Sequence, residues 1–193
     1  TGQTDSTNFP LLNFPGAYYQ NLNAGKNDAF VLKLSNAGTQ LWATYYGGAG
    51  DDNGNSIYSN SSGNIFVAGT TDSIGFPVQN FAGAYNQAAN AGNDDAFILE
   101  FNSAGVRVYA THYGGSGYDR GMSICTDLTD NIFITGYTSS LNFPVQNAGN
   151  GAYFQPLKSG LSDAFISKFS PTGVLDWSTY YGGSAIDEAW AMS

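Results

Sequence analysis

The chain has 193 residues, enough for one sizeable domain. Charged residues make up 11%, aromatics reach 15% and glycine fills 25 positions, a balance that disfavours a helical domain and suits short strands joined by tight turns. Fifteen carboxylates against six Lys and Arg leave a net charge of −9, which repels nucleic acid, and no apolar run approaches the ~18 residues of a membrane span.

Residues 1–48 set the pattern. TGQTDSTNFP (1–10) leads through a Gly/Asn-rich stretch to NDAFVLKL and then to TYYGG (44–48); the expected strands are the third and fourth of a partial blade. Residues 49–115 restate the blocks as AGTTDSIGFP, DDAFILEF and THYGG, and read as a full blade. Its four strands fall at about 55–59, 64–70, 95–101 and 106–113, each rich in β-branched and aromatic residues and bounded by turn residues. FILEF is apolar on both faces, as a sheet sandwiched between two neighbours requires. Residues 116–183 give a second full blade with TGYTSSLNFP, SDAFISKF and TYYGG, and 184–193 align with the first strand of a further one.

The period is constant. Pro10, Pro77 and Pro144 lie 67 residues apart, while Asp28, Asp95, Asp163 and likewise Gly47, Gly114, Gly182 lie 67 and then 68 apart. The extra residue of the third unit sits between Pro144 and Asp163, which marks a length-tolerant loop. A four-stranded antiparallel unit repeated in this way specifies an all-β fold, a β-propeller of radially packed blades of which about three units of ~67 residues are present. A linear β-solenoid is the alternative architecture. Closed propellers need about 4–8 blades, so the expectation is a segment of a longer array. Its open faces and strand edges would meet remaining blades of a parent chain or further copies.

The blocks GGxGxDxGxSI, GNIFVxG, TxSxxFP, GAY and DAFxxKF, in this order through almost the whole chain, resemble the bacterial SBBP repeat, a family named for a seven-bladed β-propeller. The resemblance implies an exported or cell-surface protein, extracellular in location. Ala185-Ile186-Asp187 and Glu188-Ala189-Trp190 depart from the first unit's Gly50-Asp51-Asp52 and Asn53-Gly54-Asn55.

A propeller meander sends two connections to the same face, the one from fourth to first strand and the long one from second to third, here about 71–94 and 138–162. A protein or glycan partner is expected there. The acids at that face are Asp28, Asp95 and Asp163 at third-strand starts and Asp52, Asp119 and Asp187 before first strands. They read either as ligands for a hard cation such as Ca2+, or as acceptors that fix their own turns. Recurrence in every unit favours the turn role, because a blade-building role must recur and a site need not. Tyr46, Tyr113 and Tyr181 read either as ligand-stacking rings or as packing against the next blade. Phe81 and Phe154 are further ligand candidates in the connections. Trp42, Tyr109 and Trp177 share one aligned position and read as outer-strand core.

Catalysis finds little to work with. The one histidine, His112, fills the slot of Tyr45 and Tyr180, and no nucleophile motif such as G-x-S-x-G is present. Carboxylate pairs could serve a glycosidase, but nothing singles one out. Cys125, alone, reads as a small buried hydrophobe. Asn60-Ser61-Ser62 is a formal glycosylation triplet in a turn. The expectation is a non-enzymatic surface module for adhesion, assembly or scaffolding, with no organic cofactor; a glycan-binding propeller is the alternative, and a glycan-cleaving enzyme a more distant one.

Overall fold

The computed structural model describes all residues, Thr1–Ser193. Eleven strands and no helix form three antiparallel sheets. The first sheet holds β1 (Gly2–Thr4), β2 (Asp28–Leu34) and β3 (Gln40–Tyr46). The second is the meander β4 (Asp52–Ser59), β5 (Ile65–Thr71), β6 (Asp95–Phe101) and β7 (Arg107–Tyr113). The third repeats it with β8 (Asp119–Thr126), β9 (Ile132–Thr138), β10 (Asp163–Phe169) and β11 (Leu175–Tyr181).

Alternation along each strand explains how the sheets stack. In β6, Phe97, Leu99 and Phe101 join the core shared with the first sheet, beside Val31, Trp42 and Tyr46. Ala96 and Ile98, on the opposite face, join the core shared with the third sheet, beside Ile134, Phe165 and Phe169. All seven residues of β6 are buried. The middle sheet therefore hides both faces, as FILEF requires.

The first strands meet edge to edge. Asn55 Nδ2 donates to Gly121 O at 2.9 Å and the Ile124 amide to Ser56 Oγ at 3.2 Å, which places β4 against β8. The expected strand in 184–193 does not form. Each of β4 and β8 takes its ladder from the second strand beside it, whereas 184–193 have no such partner. They lie on β8 instead, where the Met192 amide donates to Ser123 Oγ at 3.2 Å, the contact that Ile124 makes one unit earlier.

The two expected connections do meet on one face. Parallel bridges join Asn27 to Asp51, Asp94 to Tyr118 and Ser162 to Ile186. The long connections are not free loops, however. Each leaves that face and runs down its own outer strand, through bridges Leu12–Ala43, Gln79–Ala110 and Gln146–Ser178. In the first two units it reaches the next sheet, where the Tyr18 and Tyr85 amides donate to Gly105 O (2.9 Å) and Gly173 O (2.8 Å). Trp42 Nε1 and the Tyr109 hydroxyl hold these straps by donating to the carbonyls of Tyr18 and Tyr85. The shared outer-strand position of Trp42 and Tyr109 is thus a strap anchor as well as core.

Candidate binding cleft at the inner strands

The recurring aspartates come together in pairs across sheet junctions, Asp28 with Asp52 and Asp95 with Asp119. A side-chain carbon on Gly47 would lie 2.5 Å from Asp52 Oδ2 and 2.8 Å from Asp28 Oδ1; on Gly114 it would lie 2.6 Å from Asp95 Oδ1 and 2.8 Å from Asp119 Oδ2. The first glycine of each YGG or HYGG turn is the space the two carboxylates occupy. Asp28, Asp52, Asp95, Asp119 and Asp163 are fully buried. Their partners are local donors. Asp52 Oδ2 accepts from the Gly48 amide (2.8 Å) and Ser73 Oγ (2.6 Å). Asp119 Oδ2 accepts from the Gly115 amide and Ser140 Oγ in the same way. Asp28 Oδ2 accepts from Gln20 Nε2 (2.6 Å) and the Ala24 amide (3.1 Å), and Asp95 Oδ2 from Gln87 Nε2 and the Ala91 amide. Asp163 binds Gln155 Nε2 and the Ser159 and Gly160 amides, and Asp187 Oδ2 the Gly183 amide.

Three buried oxygens remain short of donors, Asp28 Oδ1 and Asp52 Oδ1 in the first pair and Asp95 Oδ1 in the second. Burial, reinforced by the facing carboxylate, pushes Asp28 up to about 6 and Asp95 to about 7, and burial also raises Asp52 and Asp119. The geometry is that of turn-fixing acids, paired and not gathered into a larger cluster.

The aromatic candidates separate as well. Tyr46 and Tyr113 are fully buried, so no ligand can stack on them. The Tyr46 hydroxyl donates to Pro77 O and its ring packs on Phe76 at 5.2 Å; Tyr113 reaches Pro144 O at 3.1 Å and packs on Phe143 at 4.8 Å. Both rings seal a junction to the next sheet because the Phe-Pro segment of that sheet lies directly above them. Tyr181, at the same position of the last sheet, is 58% exposed. Phe81 is exposed and Phe154 half-buried on the outer straps. Cys125 is partly buried, and burial together with Asp127 raises its thiol, the reverse of an activated nucleophile. Asn60 is 9% exposed and its amide is engaged in the folded chain, accepting from the Ser62 and Asn64 amides and donating to Asp130 at 3.0 Å.

The polar cavity lies elsewhere. A cleft of about 460 Å3 opens along the inner strands, lined chiefly by Asn53, Asn55, Asp72, Asp94, Arg120 and Trp190, with Gln3 and Tyr137 at its sides. Strand alternation builds it. Asp52 and Gly54 are buried while Asn53 and Asn55 between them are not, and the same holds for Asp119 and Gly121 around Arg120. Arg120 bridges to Asp94 at 3.1 Å and lies over the Tyr137 ring at 5.9 Å, and Trp190 stands 6.0 Å from Tyr137. Lys26 bridges to Asp51 at 3.1 Å on the cleft's rim, whereas Asp72 has no cation at bridging distance.

These residues escaped the search for repeated acids and tyrosines because they are the positions at which the units differ. Asn53, Arg120 and Glu188 share one aligned position; Asn55, Met122 and Trp190 another; Gln3, Thr70 and Tyr137 a third. Their neighbours Asp52/Asp119/Asp187 and Gly2/Gly69/Gly136 are identical in all three units. The contrast between fixed and varying positions was the available signal.

The family model of the SBBP beta-propeller repeat matches residues 41–77 and 108–144. Each match runs from an outer strand across the junction to the Phe-Pro segment of the next sheet, and so contains both halves of the tyrosine seal. A curated relative, an uncharacterized WD repeat-containing protein, L264, of Acanthamoeba polyphaga mimivirus, is 25% identical over 187 residues, covering 90% of this chain. The chain spans 13% of that relative's length. At two places one period apart, then, this chain matches the SBBP β-propeller repeat that its motifs resemble.

Proposed function

We propose that the chain is a non-enzymatic recognition module of an exported or cell-surface protein, a β-propeller segment that scaffolds a protein partner at the inner-strand cleft. The observation that carries this reading is the contrast just described: a repeated frame presents unit-specific side chains at one polar cavity. Two further features support it. The buried recurring aspartates are spent on turns and junctions, and His112 is buried in a tyrosine's slot. A match to a β-propeller repeat family and a relative named for WD repeats both fit a repeat scaffold that presents an interaction surface.

The test is capture from a cell-surface protein fraction. The wild-type chain should retain a partner that Asn53→Ala/Asn55→Ala/Trp190→Ala loses while keeping its β-sheet circular dichroism. Equal capture by both proteins, or turnover of a substrate by the wild type, would overturn the reading. A glycan partner is the second reading. It is favoured by the exposed indole of Trp190 beside Tyr137 and the amides of Gln3, Asn53 and Asn55; planar amides and aromatic faces suit hydroxylated rings. Binding on a glycan array that the same triple variant abolishes would select it.

A further inference from the structure

Two Asn-Gly steps occur in the chain, Asn53-Gly54 and Asn150-Gly151. Glycine carries no Cβ, so nothing shields its backbone nitrogen from the carbonyl carbon of the asparagine side chain before it. The surrounding backbone decides whether that nitrogen can reach the carbon, and the two steps sit in opposite surroundings. Asn53 and Gly54 belong to the β4–β5 ladder, paired with Thr70 and Gly69. Gly54 is buried, and Gly2 O lies 3.1 Å from the place of a side-chain carbon there.

Asn150 and Gly151 are the central residues of a tight turn closed by the Ala152 amide, which donates to Gly149 O at 3.0 Å. Both are left-handed, with φ of 53° and 78°, the conformation that favours Asn-Gly in such turns. Both are exposed, and no atom lies within 4 Å of a side-chain carbon placed on Gly149 or Gly151. The Gly149 amide donates to Asn147 Oδ1 at 2.8 Å, which leaves the Asn150 side chain and the Gly151 N–H without partners. The third unit's extra residue falls here, where Ala148-Gly149-Asn150 stands in place of Phe81-Ala82. The equivalent turns Phe14–Ala17 and Phe81–Ala84 close in the same way. They are likewise exposed, at Pro15-Gly16 and Ala82-Gly83, although a further sheet follows each of them. Exposure at Asn150 is therefore a property of the turn.

We infer that Asn150-Gly151 is a site of self-modification, at which the asparagine converts to aspartate and isoaspartate while the protein stays folded. The Gly151 nitrogen attacks Cγ of Asn150 and gives up its proton. The new N–Cγ bond forms as the Cγ–Nδ2 bond breaks, and ammonia leaves. Water then opens the five-membered imide. Cleavage of the N–Cγ bond restores the ordinary chain with an aspartate; cleavage between the nitrogen and the main-chain carbonyl carbon of Asn150 reroutes the chain through Cβ and Cγ. No electrons are exchanged, and water is the only other reactant. Either product adds one negative charge to the outer strap. The strap is re-anchored just beyond, where the Gln155 amide donates to Thr179 Oγ1 at 2.8 Å, so the change stays local.

Peptide mapping by mass spectrometry of the whole folded chain, aged in neutral buffer, tests the inference. The Asn150 peptide should show the mass change of an amide turned acid and split into two products of equal mass. It should do so about tenfold or more faster than the Asn53 peptide, because a ladder residue reacts only after local opening. The intact chain should gain one negative charge on isoelectric focusing and keep its β-sheet circular dichroism. Asn150→Gly, which keeps the left-handed turn, should abolish that shift. In denaturant the two steps should react alike, since only the fold separates them. Equal rates in the folded chain, an acidic shift that persists in Asn150→Gly, or an Asn150 that stays intact in the folded chain while the denatured chain reacts would each overturn it.

Discussion

His112 stands where Tyr45 and Tyr180 stand in the neighbouring sheets, and its environment was built for a hydroxyl. Tyr180 donates to Ser140 O at 2.9 Å and accepts from the Phe143 amide at 3.1 Å; Tyr45 does the same with Ser6 O and the Phe9 amide. His112 is too short to reach the equivalent groups of Ser73 and Phe76. Its Nδ1 meets Gln87 O at 3.1 Å, its Nε2 has no partner, and burial holds the ring's basicity down. His112→Tyr should therefore stabilise the chain by about 1 kcal/mol, the net worth of a restored buried hydrogen bond, read from denaturant midpoints; a loss of stability would contradict the shared slot. The acid pairs give the opposite sign to crowding. Gly114→Ala would drive a methyl into Asp95 and Asp119 and should cost about 1–3 kcal/mol.

The same pairs set a pH dependence. Asp28 is pushed up to about 6 and Asp95 to about 7, and burial with the nearby Asp130 charge raises Glu100 to about 7. The groups that face them are Asp52, Asp119 and the neutral amides of Gln20 and Gln87, with Asp94 adding to the field on Asp95. Each raised carboxyl binds its proton more tightly in the folded chain than in the unfolded one, so stability rises as pH falls from about 8 toward 5. Asp127 and Asp51 run the other way, held low by hydrogen bonds from neighbours, and their contribution is lost below about pH 4. The melting temperature should accordingly be higher at pH 5 than at pH 8, and Asp95→Asn should flatten that slope. A melting temperature that falls from pH 8 to pH 5 would refute the protonated pairs.

At the scale of elements, strands were legible because their chemistry is local. DAFILEF announces a strand buried on both sides, and β6 spans the expected 95–101; Phe97→Ala, which opens the core shared by two sheets, should cost about 3–5 kcal/mol. The meeting of the 4–1 and 2–3 connections followed from meander topology alone. Three things were not legible. The Asp pairs are formed by residues 24 positions apart on different sheets, and a repeat pattern shows that each acid recurs without showing what it faces. The straps look like Gly/Asn-rich loops because they bond to the next sheet through backbone, and the repeated GAY block does not show which sheet its tyrosine amide meets. The cleft residues read as drift in the repeat until alternation along β4 and β8 placed them on one side. Residues 184–193 align with a first strand, and Met192 sits on Ser123 as aligned.

For the whole molecule, everything rests on the middle sheet being covered on both faces. The cleft and the acid pairs both follow from that stacking. Hydrogen–deuterium exchange by mass spectrometry compares three copies of nearly the same strand, 28–34, 95–101 and 163–169, within one chain. The account predicts that the amides of 95–101 exchange most slowly, because exchange there requires separating two cores. Equal protection of the three strands, or faster exchange in 95–101 than in either of the others, would contradict it.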